Sequence, residues 1–141
     1  MSDITFFYVP DVYLDRKTGK AIEILRPKIP VRLLVNHQAS KILIECLLDT
    51  GSDRNLFPAD WGRSLNLKIE NNRKVKIVGI GNNEIVAYTH PVILYVGTHK
   101  IVTEADFSDQ QNTPLLGRIG FLDRIDEVIF NEKKRSIRII F

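Results

Sequence analysis

The chain predicts a mostly β fold, a barrel or a sandwich carrying one or two short helices. Two observations carry that expectation. Short segments rich in Val, Ile, Leu and aromatics recur along the whole length, and turn residues separate them. The strand-like segments are 4–9, 29–35, 41–48, 74–78, 84–89, 92–96, 101–107, 127–130 and 136–141. Their connectors include Lys17-Thr18-Gly19-Lys20, Asn36-His37-Gln38, Gly97-Thr98-His99 and Asn131-Glu132-Lys133. Two segments have helical spacing, and both are short. Segment 58–65 opens with Pro58 in a first-turn position and places Trp61 four residues before Leu65, so Trp61 is expected to pack this helix on the strands. Segment 117–125 places Phe121, Leu122 and Ile125 on one helical face.

At 141 residues the chain has the size of one ordinary domain, and we read 1–141 as a single unit. A boundary near Arg26-Pro27 sets residues 1–28 apart as an N-terminal extension whose role the sequence leaves open. Apolar residues at 44% are enough for a core, and charged residues at 26% are enough to solvate it. Basic residues exceed acidic ones by 20 to 17, and the excess is spread out apart from Lys133-Lys134-Arg135. A nucleic-acid-binding barrel wants aromatics interleaved with basic residues on one strand face. Phe6, Phe7 and Tyr8 are consecutive and alternate faces, so no nucleic-acid partner is expected.

The single cysteine, Cys46, lies in an apolar stretch and reads as a small buried residue, which excludes an intrachain disulfide. His37, His90 and His99 have no ligand spacing, so no metal and no cofactor are expected. The N-terminal segment lacks a basic stretch followed by a long apolar one, and no apolar run reaches membrane-spanning length. The expectation is a cytoplasmic protein with no membrane partner.

Chemistry is concentrated in the stretch running from Ile42 to Ser52, Ile-Leu-Ile-Glu-Cys-Leu-Leu-Asp-Thr-Gly-Ser. An apolar strand ends in Asp49, and the chain turns at once through Thr50, Gly51 and Ser52. A carboxylate at the end of a buried strand is costly unless hydrogen bonds compensate it. Gly51 allows a tight turn that brings a backbone N–H toward the carboxylate, and Thr50 and Ser52 offer hydroxyls. Taken alone, the tripeptide reads equally well as a β-turn capping a strand. Two later stretches add to it. Pro114-Leu115-Leu116-Gly117-Arg118 is an apolar pair followed by glycine and an arginine that opens the second helical candidate. Between the two lies Gly79-Ile80-Gly81, with a β pattern continuing on both sides, which makes a hairpin of it rather than a phosphate loop.

In these three ordered elements the sequence resembles the retropepsins, the retroviral-type aspartic proteases with their cellular and bacterial relatives. The resemblance covers roughly residues 29–141. It implies a closed β-barrel with a flap hairpin, forming one half of a two-fold dimer. It departs at Ile119, where many relatives carry an acidic or amide residue, and in the extension before Ile29.

The family implication is an aspartic endopeptidase in which water is activated between two facing carboxylates. Only one Asp-Thr-Gly occurs here, so Asp49 would be supplied twice, once by each copy of a homodimer. By the same resemblance Thr50 would bond across the axis, Gly51 would present its backbone to the site, and Ser52 would hydrogen-bond the carboxylate. Ser52, Asp53, Gly79, Ile80 and Gly81 would face an extended peptide or protein substrate. Leu116, Gly117 and Arg118 would support the loop from behind, with Asp53 and Arg118 forming an ion pair. The apolar ending Ile139-Ile140-Phe141 suggests that the C-terminal strand joins the dimer interface. The rival reading is a dimeric peptide-binding or scaffold domain of the same fold that cleaves little.

Overall fold

The computed structural model describes residues 2–141. Its strands are, in order, β1 (Asp3–Phe7), β2 (Val9–Leu14), β3 (Ala21–Arg26), β4 (Lys28–Val35), β5 (Gln38–Ala39), β6 (Ile44–Leu48), β7 (Leu56–Pro58), β8 (Lys74–Val78), β9 (Glu84–Val96), β10 (His99–Ser108), β11 (Leu115–Leu116), β12 (Glu127–Asn131) and β13 (Ser136–Ile140). One helix, α1 (Ala59–Arg63), follows β7.

Strands β4, β6, β11, β7, β10 and β9 hydrogen-bond in that order, and β9 pairs back onto β4 through Leu33↔Leu94. The ring is closed, so the molecule contains a six-stranded barrel. Alternation builds its interior: Ile29, Val31, Leu33 and Val35 of β4 point inward, as do Val92, Leu94 and Val96 of β9. The core is all apolar at these positions, and its burial is the main stabilising term.

α1 lies against this core as expected. Pro58 sits just before its first turn, and the Trp61 ring packs 4.6 Å from Phe57, which in turn meets Phe107 edge-on. The second helical candidate is corrected. Segment 117–125 holds only a 3-10 turn at Leu122–Arg124, because Gly120 takes φ +103, outside any right-handed helix. Its apolar residues are nonetheless used: Phe121 is fully buried, and Leu122 and Ile125 pack on the core. The two segments 84–89 and 92–96 form one long strand. Pro91 falls where β9 passes from β8 to β4, so it interrupts neither pairing.

The C-terminal strand is not an edge strand. β13 is the central strand of a three-stranded sheet, with β1 on one edge and β12 on the other. Both of its backbone edges are satisfied within the chain, and Ile137 and Ile139 are fully buried. It is not a free edge to which a second copy could add. Within the extension, β1 is thus part of this sheet, whereas β2 and β3 pair only with each other. Among the described residues, no helix is long and apolar enough to cross a membrane.

Candidate active site

Asp49 follows the last residue of β6, and β6 is not adjacent to β7, the strand that resumes after the turn. β11 threads between them, parallel to β6 (Leu115↔Leu47, Leu116↔Leu48) and antiparallel to β7 (Leu115↔Leu56). The chain therefore passes a later strand through the gap made by an earlier turn. That crossing clamps the turn from behind. The Asp49 N–H donates to the Leu116 carbonyl at 3.0 Å, the Arg118 N–H to that of Ser52 at 2.9 Å, and the Ile119 N–H to that of Asp53 at 2.7 Å. Asn55, fully buried, accepts from the Gly117 N–H at 3.1 Å and donates to the Glu104 carbonyl at 3.0 Å. Polar groups buried in this way must be paired, and here they join three strands.

Gly117 is required by the closeness of the crossing. A Cβ there would overlap the Arg54 backbone, carbonyl and amide both. The support expected of Leu116, Gly117 and Arg118 is thus backbone support.

Within the turn, the Gly51 N–H donates to Asp49 Oδ1 at 2.9 Å, and the Ser52 N–H to the Asp49 carbonyl at 3.1 Å. The carboxylate is half-buried, while Thr50 and Gly51 are exposed on the open side of the loop. Ser52 does not serve Asp49. Its hydroxyl donates to the Arg54 carbonyl at 2.8 Å, closing a short local turn.

Asp53 and Arg118 form no ion pair. Both line an open cavity of about 460 Å³ beside Thr50, shared with Ile119, Leu122 and Asp123. Their segments are joined through backbone hydrogen bonds instead. The buried ion pair beside the loop is Arg54 with Asp106, Nε to Oδ2 at 2.9 Å, and Thr89 Oγ1 donates to Asp106 Oδ1 at 2.6 Å. Hydrogen bonding to Asp106 raises the Arg54 guanidinium further above its ordinary range, more than partial burial lowers it. Sequence reading passed over this pair. The available signal was an acid between Ala105 and Phe107 in a strand otherwise destined for the core.

Gly79, Ile80 and Gly81 lie elsewhere, at the tip of the hairpin formed by β8 and β9. The Gly79 N–H donates to the Asn83 carbonyl at 2.8 Å, and Gly81 and Asn82 take φ +78 and +61. Ile80 is 99% exposed. No hydrogen bond joins this tip to the Asp49 loop. Cys46 is buried, and burial pushes its thiol well above the usual range, which makes it a poor nucleophile.

No family model matches the chain, and no curated protein matches it. Solved structures do. The EIAV protease complexed with the inhibitor HBY-793 aligns with a TM-score of 0.51 and 24% identity, over 66% of this chain and 82% of that one. The likeness shows a retropepsin-like fold.

Proposed function

We propose that the chain is an aspartic endopeptidase that works as a homodimer, with Asp49 contributed once by each copy. The observation that supports it most is the strand crossing behind Asp49. Three strands converge on one turn, and the turn delivers a carboxylate bonded by its own Gly51 N–H to an open face. A plain surface turn needs no such clamp. One chain offers one such carboxylate, so the site is complete only when a two-fold axis brings a second loop opposite the first.

In this reading the two carboxylates share a proton, since like charges held together cannot both ionise (aspartic proteases are a standard case). The ionised one takes a proton from water as it attacks the peptide carbonyl, and the protonated one polarises the carbonyl oxygen. Thr50, exposed beside the axis, bonds to the partner loop. Gly51 presents its backbone to the site, and Asp53 with Arg118 forms one wall of the cleft. The substrate lies extended beneath the hairpin carrying Gly79, Ile80 and Gly81, held through its backbone. We read residues 1–141 as a single domain with 1–28 as its extension, acting in the cytoplasm.

The test is incubation of the purified chain with a diverse peptide library across pH, with and without pepstatin, read by mass spectrometry. Cleavage by the wild type, blocked by pepstatin and absent in Asp49→Asn, is expected. Saturable peptide binding without any cleavage would instead make the chain a scaffold of this fold.

A further inference from the structure

Strands β2 and β3 form a two-stranded sheet that hydrogen-bonds to no other strand. None of residues 9–26 belongs to the hydrophobic core or packs against it. An isolated hairpin of this kind is marginal in water, and this one exposes apolar side chains on both faces. Register puts Pro10, Val12, Leu14, Ala21 and Leu25 on one face, where Val12 is 66% and Leu14 64% exposed and Glu23, opposite Val12, is the one charged residue. The opposite face carries Tyr13 and Ile24, also exposed. Exposed apolar surface concentrated on one projecting element marks an interface.

Its root says which partner it fits. β3 runs through Pro27 into β4, and the Pro27 carbonyl accepts from the Leu48 N–H at 3.0 Å, one residue before Asp49. Asp11 fastens the root, paired with Arg26 at 2.9 Å and Lys28 at 2.8 Å. The hairpin therefore leaves the barrel beside the turn that must meet its symmetry mate. Six residues per strand reach roughly 20 Å. The open cavity beside Thr50 adjoins that turn, with Ile119 exposed on its wall. The C-terminal strand cannot supply the dimer contact through a free edge, since β1 and β12 occupy both sides of it.

We infer that the β2–β3 hairpin is a clasp for a second copy of this chain, burying the Val12, Leu14 and Leu25 face against the partner beside its Asp49 turn. The inference rests on the homodimeric peptidase reading. It goes beyond that reading by assigning dimer stability to an element outside the barrel.

The experiment compares the full wild-type chain with Val12→Asp and Leu14→Asp by sedimentation over a dilution series, alongside peptide cleavage at each concentration. Val102→Asp, at an exposed position on β10, serves as the control. Both hairpin variants should raise the dimer dissociation constant about tenfold or more. Their cleavage should recover as concentration rises, with unchanged thermal unfolding of the monomer, and the control should behave as wild type. A wild type that dimerises and cleaves, with hairpin variants that dimerise equally tightly, overturns the clasp and leaves the peptidase reading intact. A wild type that is monomeric at every concentration overturns both.

Discussion

Asp106, fully buried on β10, grips the Arg54 guanidinium through two hydrogen bonds, Nε to Oδ2 at 2.9 Å and Nη2 to Oδ1 at 3.1 Å. The Asp106 N–H also donates to the Asn55 carbonyl at 2.9 Å, so strand and side chain together hold the end of the Asp49 turn. Removing one partner of a buried pair leaves an uncompensated charge. Arg54→Met should cost about 3 kcal/mol of stability, at the low end of such effects because Arg54 is partly exposed. Chemical denaturation of Arg54→Met, Asp106→Asn and the double variant checks it. A cycle with no coupling between the two would show that the pair does not hold the turn.

Gly117→Ala should be among the most damaging single-methyl changes in the molecule. The added Cβ meets backbone rather than a side chain that could swing aside, so β11 must shift relative to the turn. A loss of about 3 kcal/mol is expected, at the upper end of overpacking costs. Cleavage should fall as well, because the Asp49 N–H is bonded to the neighbouring Leu116 carbonyl. Thermal unfolding close to that of the wild type would contradict the closeness of the crossing.

The two hairpin glycines should differ. Gly81 takes φ +78, which a β-branched residue resists, whereas Gly79 takes φ −99 and an added Cβ there approaches only the Asn83 carbonyl at 3.8 Å. Gly81→Val should therefore distort the tip and lower kcat/KM several-fold, with little effect on global unfolding, since the tip carries no core residue. Gly79→Val should be the milder change. Equal kinetics for both variants would mean that the tip conformation does not matter to turnover.

Ser52→Ala should leave the pH dependence of cleavage unaltered. Its hydroxyl is committed to the Arg54 carbonyl, so its loss costs about 1 kcal/mol of stability and removes no donor from Asp49. Profiles of kcat/KM against pH for the two forms on one peptide decide this. A shifted acidic limb in the variant would show that Ser52 turns toward the carboxylate once a second copy is present.

Local pattern was enough to read much of the molecule. Apolar segments between turn residues marked β4 and both halves of β9, Pro58 and Trp61 marked α1, and the order of the three glycine-bearing stretches implied, by resemblance, a barrel with a hairpin. Each depends on neighbours along the chain, and a single sequence carries that information. What tertiary structure decided depends on which groups the fold brings within reach, near or far along the chain. Ser52 turned to Arg54 because a nearby carbonyl was free to accept. Arg54 found Asp106, 52 residues away, because a buried carboxylate needs a cation within reach. Gly120 broke the expected second helix by taking a positive φ beneath the crossing. β13 is a central strand because β1, distant in sequence, pairs along the edge that β12 leaves open. Periodicity shows which face a strand buries. It does not show which strand, or which charge, will lie opposite.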